Sequence, residues 1–399
     1  MTERIALQGG RPARKEFLPL SRPQLDEEDI HEVLKTLRSG WLTTGPKAQE
    51  LEEGIKRYIG CRHAIAVNSG TSALLLSIEA AEIKPGDEVI TTPLAWLSSA
   101  HAIEHHGARP IFVDVDKESY QIDPKLIQSA VTKKTKGILP VHLAGRLCEM
   151  DIILDIAKKN NLMMIEDAAH AFEGFYKGRK IGTLSDMTCF SLYATKNLFA
   201  GEGGVVTTDN DKLAERIRMS RLFGMHKNSW KRYAKEGNAS YDVSFLGHKC
   251  NLSDVHAAIA LRQLDKIETR LKTRKSLFER YRTLLADIPE IILPPRDPPH
   301  IKNSHHLFSI LADTDRLTCD RDEFAAALQA ENIGTGIHFL SLHLLTYYKN
   351  KYNLRKGDFP NAEFYSQRTI SLPLSPFLSP RDVGDVANAV RKVATFYRK

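Results

Sequence analysis

The chain has 399 residues, of which 42% are hydrophobic and 26% charged, with a formal net charge of +7. That length suits a large domain with a smaller one, and the composition excludes a disordered or fibrous chain. The five cysteines, Cys61, Cys148, Cys189, Cys250 and Cys319, are scattered and form no C-x-x-C pair. This argues against a disulfide framework or a structural zinc site, and for a reducing, cytoplasmic setting.

The positive balance raises nucleic acid, membrane surfaces and small anions as partners. The densest basic runs are Lys133-Lys134-Thr135-Lys136 and residues 262–282. In the second, Lys and Arg alternate with Glu and Leu, the pattern of a solvated helix face. No basic patch is interleaved with aromatics, so no nucleic acid is expected. Residues 1–15 lack the apolar core of a secretion signal, and no apolar run approaches a membrane span.

In chain order, residues 1–20 read as an irregular arm broken by Gly9-Gly10, Pro12 and Pro19. A helix is predicted over 26–38 and a loop over 40–46. Strands then alternate with helices: strand 63–67, helix 70–81, strand 88–92, helix 94–106, strand 110–115, helix 124–131. Strand 137–141, helix 151–160 and strand 162–166 follow, with further strands at 188–191 and 204–208. This alternation predicts a mainly parallel sheet with helices on both faces. A nearly unbroken helical period over 254–285 reads as a connector, and mixed strands and helices beyond it as a smaller α+β domain. The division expected is an arm at 1–20, a large domain at 21–265 and a small one at 266–399.

In an open parallel sheet, ligands bind beyond the carboxyl ends of the strands, so residues just after the strands carry the argument. Asn68-Ser69-Gly70-Thr71-Ser72-Ala73 opens a helix. Its small residues and helix N-terminus suit an anion, although an ordinary Ser/Thr cap has the same appearance. Ile165-Glu166-Asp167-Ala168-Ala169-His170 places a carboxylate at a strand end. There it could hold a protonated ring nitrogen, bind magnesium or cap a helix. Phe190-Ser191-Leu192-Tyr193-Ala194-Thr195-Lys196-Asn197 sets Lys196 among small and apolar residues. A partly desolvated lysine has a lowered pKa and attacks carbonyls, whereas most lysines only snorkel at a surface. Ser191 could reach a phosphate. No G-x-x-x-x-G-K-[ST] run is present, which disfavours an ATP P-loop.

Together and in this order, these segments resemble the DegT/DnrJ/EryC1/StrS family of sugar aminotransferases. The likeness extends to residues 40–46 (GWLTTGP), 86–91 (GDEVIT), 201–204 (GEGG), 247–258 (GHKCNLSDVHAA) and 334–339 (GTGIHF). The resemblance implies the aspartate-aminotransferase-like α/β fold, fold type I of pyridoxal 5'-phosphate (PLP) enzymes. That fold has a large domain with a mainly parallel seven-stranded sheet and a smaller α+β C-terminal domain. It implies that Lys196 bonds to PLP and later moves the proton. Asp167 would pair with the pyridine nitrogen, and Trp96 would stack on the ring with His170 near it. Gly70, Thr71, Ser72 and Ser191 would hold the phosphate. Asn251 would reach the cofactor of a neighbouring subunit, which makes the active unit a homodimer, and His338 would lie near the sugar.

The amino donor implied is L-glutamate, leaving as 2-oxoglutarate, and the acceptor is a nucleotide-linked 4-keto sugar. Residues 40–47, 251–264 and 333–339 are most similar to members that aminate a UDP-linked 4-keto pentose, while the arm, Gly70 and Tyr193 depart from them. Two rivals share the fold: a PLP-dependent sugar dehydratase, in which histidine replaces the lysine, and a PLP-binding regulator without catalysis. No metal is expected. His101 and His105 sit four apart on a helix, and His338 lies near His343, but no glutamate completes H-E-x-x-H.

Overall fold

The computed structural model describes residues 4–225 and 242–399. Among the described residues thirteen strands can be followed in chain order. They are β1 (His63–Val67), β2 (Glu88–Thr91), β3 (Arg109–Phe112), β4 (Thr135–Ile138), β5 (Met163–Asp167), β6 (Phe175–Tyr176) and β7 (Arg179–Lys180), then β8 (Met187–Ser191), β9 (Gly204–Thr208), β10 (Ile291–Ile292), β11 (Ile301–Lys302), β12 (Phe308–Ala312) and β13 (Thr369–Leu372). Thirteen α-helices accompany them: α1 (Glu27–Arg38), α2 (Pro46–Ile59), α3 (Gly70–Ala80), α4 (Leu97–His105), α5 (Pro124–Ala130), α6 (Met150–Asn160) and α7 (Asp211–Ser220), then α8 (Asp254–Asp265), α9 (Ile267–Leu285), α10 (Arg321–Ala330), α11 (Thr346–Tyr352), α12 (Pro360–Ser366) and α13 (Pro380–Tyr397).

Seven strands form one sheet in the order β1-β9-β8-β5-β4-β2-β3. β9 runs antiparallel to both neighbours, and the other six are mutually parallel. The period of two puts alternate side chains on opposite faces. Ala64 and Ala66 join a core with α2, α5, α6 and α8, while Ile65 and Val67 join one with α3, α4 and α7. Both faces are covered, which is why these strands are apolar throughout rather than alternating.

β10, β12 and β13 form a separate antiparallel sheet. Its core gathers Phe278 and Tyr281 from α9, Phe324 and Leu328 from α10, and Val386 and Val390 from α13. The arm is stapled to this core. Ile5 is buried within it, and Glu331 accepts hydrogen bonds of 2.7 Å from the Ala6 and Ala13 N–H groups. Leu18 then pairs with Ile333, which carries the chain toward the C-terminal edge of the large sheet.

Three sequence expectations are corrected. The loop signals at 40–46 do not anticipate α2, whose N-cap Gly45 has no side chain. Its cap comes instead from α8, where buried Asp254 accepts from the N–H groups of Gly45 (2.7 Å), Ala48 (2.9 Å) and Lys47 (3.0 Å). The helical period over 254–285 is broken at Lys266, whose N–H turns back to the Gln263 and Leu264 carbonyls while its ammonium pairs with Asp26 and Asp29. The basic run at 262–282 is not wholly solvated, since Arg270 and Arg274 are buried. Among the described residues no helix is long and apolar enough to cross a membrane.

Candidate active site around Lys196

The carboxyl ends of β1, β5 and β8 converge on a cavity of about 490 Å³. Gly70, Thr71, Trp96, Asp167, His170, Ser191, Lys196 and His338 line it.

β1 leads into α3, an 11-residue helix. Ser69 caps it by accepting from the Ser72 N–H at 3.0 Å, which leaves Gly70 and Thr71 on the cavity wall at the positive end of the helix dipole. A β-carbon on Gly70 would stand 2.8 Å from Cβ of Ser191, so glycine lets the Ser191 hydroxyl come up beside the helix N-terminus. Amide and hydroxyl donors at a helix end make an anion cradle. Ser72 is turned away from it. Its N–H serves the cap and its hydroxyl donates to Asn68 Oδ1 at 2.7 Å.

Asp167 ends β5 and is buried. Its Oδ2 accepts from the Ser99 hydroxyl at 2.6 Å and its Oδ1 from the Ala169 N–H at 3.1 Å. Both donors are neutral, and among the described residues no cation lies in ion-pair distance. A buried carboxylate in that state calls for a cationic partner, and a protonated pyridine nitrogen in the cavity would supply one.

Lys196 follows β8 in a loop folded back on itself. The Leu192 N–H binds the Gly203 carbonyl, the Ala200 N–H binds the Leu192 carbonyl, both at 2.8 Å, and Tyr193 bridges to Gly201. The run Gly201-Glu202-Gly203-Gly204 makes this return possible, with Gly201 at φ +86. Burial among the pocket walls pulls the Lys196 ammonium down to about 8, with Asp167 acting in the opposite direction. About a tenth of the amine is then free base at pH 7, far more than at the ordinary lysine value, which favours a nucleophile or proton shuttle.

His170 packs on Phe339, with ring centroids 5.9 Å apart, and on His306 at 4.3 Å. Its Nδ1 accepts from the Ala144 N–H at 3.3 Å. Burial, then Lys196, holds His170 and His306 well below the usual histidine range. His338 is pushed down to about 4 by burial and Lys196, and its Nδ1 pairs with the Ser371 hydroxyl at 2.8 Å. These rings are neutral at pH 7. Trp96 stands at the rim, 57% exposed, tilted against Phe339 at 5.6 Å, and so offers a face to a planar ligand.

Asn251 is not on this chain's cavity. Its side chain donates to the Thr44 hydroxyl and accepts from Lys249, which ties the GWLTTGP run to the NLSD run. Sequence reasoning passed over Ser99, although two serines just after Trp96 in the first turn of α4 were a signal. It passed over His306, the arm residue Leu20 and its neighbour Ser21, which also line the cavity and carry no local signal. His101 and His105 have rings 6.3 Å apart, and His101 packs on Tyr347 and Tyr348. Among the described residues no group of His, Cys, Asp and Glu is arranged to hold a metal ion. All five cysteines are free.

Comparison with known proteins agrees with this geometry. The spore coat polysaccharide biosynthesis protein SpsC of Bacillus subtilis is 45% identical over 383 residues, covering 95% of this chain and 98% of the relative. The PLP form of Spr1654, a Streptococcus pneumoniae protein assigned as a sugar aminotransferase, superposes with a TM-score of 0.88 at 31% identity, covering 95% of this chain and 99% of that one. DesI, solved in the presence of its TDP-sugar product, gives a TM-score of 0.86 at 30% identity, covering 98% and 96%. The fold is that of PLP fold type I, the cofactor is PLP, and the activity is that of an aminotransferase. The model of the DegT/DnrJ/EryC1/StrS aminotransferase family matches residues 23–391, and the chain belongs to that family.

Proposed function

We propose that the protein transfers the amino group of L-glutamate to the keto carbon of a nucleotide-linked 4-keto sugar, either a UDP-linked 4-keto pentose or a nucleotide-linked 4-keto-6-deoxy sugar. The pathway is cytoplasmic synthesis of a bacterial polysaccharide, lipid A or another amino-sugar product. The observation that carries this reading is one cavity holding a depressed lysine, Lys196, a buried carboxylate without a cation, Asp167, and an anion cradle of Gly70, Thr71 and Ser191. The names of SpsC and DesI support the polysaccharide and nucleotide-sugar parts.

PLP supplies an electron sink when bound. Everything else is the work of side chains. Asp167, oriented by Ser99, would hold the pyridine nitrogen protonated, while Ser191 and the α3 N-terminus would hold the phosphate. Trp96 would cover one face of the ring, and the neutral His170 would lie near it without competing for the positive charge. Lys196, lining the cavity with a lowered pKa, would take the proton from the donor carbon and deliver it to the bound cofactor, and would carry a proton in the opposite direction when the sugar is the acceptor. His338 hydrogen-bonds the sugar.

The active unit is a homodimer. Ile30, Leu34 and Leu37 lie one turn apart on α1 and are 40%, 42% and 46% exposed. Such a stripe, continued by the exposed Leu42, suits burial against a second copy, which would bring Asn251 toward the neighbouring site.

The test is the visible absorbance spectrum of the purified protein before and after L-glutamate, followed by addition of keto sugars. A cofactor band that shifts with glutamate and is restored by a nucleotide-linked 4-keto sugar supports the reading. A bound cofactor indifferent to every amino acid would leave only a non-catalytic binder of the same fold.

A further inference from the structure

A second, smaller cavity of about 30 Å³ adjoins the first, and the two share Ser21, Thr195, Lys196, His306 and Leu374. Three guanidinium groups line it: Arg22, Arg270 and Arg274. Arg274 is 2% exposed. Nη2 binds Glu173, yet its Nε and Nη1 have no hydrogen-bond partner. The other oxygen of Glu173 accepts from Asn197 at 2.9 Å, not from Arg274. Arg270 lies over the Phe377 ring at 5.1 Å and donates to the side-chain amide oxygen of Gln263, and among the described residues it has no carboxylate partner. Buried N–H donors of a permanent cation are seldom left unmatched. Arg274 with two unmatched donors, and beside it the Arg270 guanidinium without a carboxylate, line one small space next to the reactive lysine and mark a place for an anion.

The volume restricts which anion. A water-sized probe takes roughly 10–15 Å³, so the space admits a group with two oxygens and excludes a sugar ring. Guanidinium forks match carboxylates in geometry as well as charge. We propose that this cavity binds the side-chain carboxylate of the amino donor and so restricts the enzyme to dicarboxylic amino acids. The proposal rests on the reading that Lys196 receives the donor's amine. The donor's reacting end then lies in the main cavity while its distal carboxylate enters the side cavity between Arg270 and Arg274. A neutral side chain of equal length would leave the two cations of the cavity without a counter-charge, and sites of that kind discriminate strongly.

The experiment uses the full chain loaded with PLP and has two readouts. Spectral half-reactions compare L-glutamate with L-glutamine, and calorimetry measures binding of glutarate, which has both carboxylates and no amine. Wild type is expected to prefer glutamate by at least about 100-fold. Arg270→Met is expected to cut that ratio at least tenfold and to weaken glutarate binding by a similar factor. Arg274→Gln is the second variant. Because Arg274 sits in a buried ion pair, its melting curve is recorded alongside. A preference and a glutarate affinity both unchanged in Arg270→Met would overturn the proposal. So would chloride binding lost in Arg270→Met while glutarate binding persists, which would assign the cavity to an inorganic anion. Wild type unreactive toward every amino acid while still binding glutarate through Arg270 would instead sink the aminotransferase reading and leave the carboxylate pocket standing.

Discussion

The Ser99 hydroxyl donates a 2.6 Å hydrogen bond to Oδ2 of Asp167, within the protein and 68 residues away in sequence. Hydrogen bonds to a charged acceptor contribute about 1.5–3 kcal/mol. Ser99→Ala should therefore weaken PLP binding roughly tenfold while leaving the fold unchanged. Asp167→Asn, which removes the charge itself, should cost far more in the half-reaction than in cofactor binding. Spectrophotometric titration of the cofactor-free variants with PLP measures the first, and stopped-flow with L-glutamate the second.

Lys196 gives a pH signature in the cofactor-free protein. Its ordinary value is 10.5 and its folded value about 8. Between these pH values the unfolded chain binds a proton that the folded chain does not, so stability rises with pH across that window. Below pH 8 the full cost of burying the ammonium is present, and above 10.5 it is gone. Lys196→Met should be more stable than wild type at pH 7 by about 2 kcal/mol, with the gap closing by about pH 10.5 and amino transfer abolished at every pH. Denaturant titrations at three pH values check this, and a gap that widens with pH would contradict it.

Gly70→Ala places a β-carbon 2.8 Å from the Ser191 Cβ and 3.2 Å from its Oγ. Something must move, and overpacking of this kind costs about 1–3 kcal/mol. The move separates Ser191 from the N-terminus of α3, so PLP should bind about tenfold more weakly. Wild-type affinity in this variant would show that the cradle does not hold the phosphate.

Glu173 and Arg274 form a buried ion pair beside the site. Removing one member strands a charge, at about 3–5 kcal/mol. Glu173→Gln should lower stability by that amount in urea titrations, and Arg274→Met added to it should recover a large part. Additive losses would mean the two side chains are not coupled.

The exposed stripe Ile30, Leu34 and Leu37 on α1 predicts association of two copies. Leu34→Asp with Leu37→Asp should raise the dimer dissociation constant at least about 100-fold, since each buried leucine contributes about 1.5–3 kcal/mol. Sedimentation velocity across a concentration series measures this. A wild-type monomer at micromolar concentration would refute it.

The strands were legible because each is a short apolar run bounded by turn residues. β1 and β9 fall at the predicted residues, and β2 and β5 within one residue of them. Periodicity reports burial, and burial on both faces leaves a plain mark. The helix break at Lys266 left none, because what decides it is an ion pair with Asp26 and Asp29 more than 230 residues away.

By itself the sequence determined the parallel sheet, the convergence of Lys196 and Asp167 at strand ends, and the helix N-terminus at Gly70. All of these follow from local backbone preference and the period of apolar residues. Tertiary structure alone decided that Ser99 supports Asp167, that His306 packs at a tilt on His170, that the end of the arm brings Leu20 to the cavity, and that Arg270 and Arg274 are buried rather than solvated. Each of these depends on which elements sit side by side. Sheet order and the packing of α9 set that, and a charged residue shows no local sign of the surface it will meet.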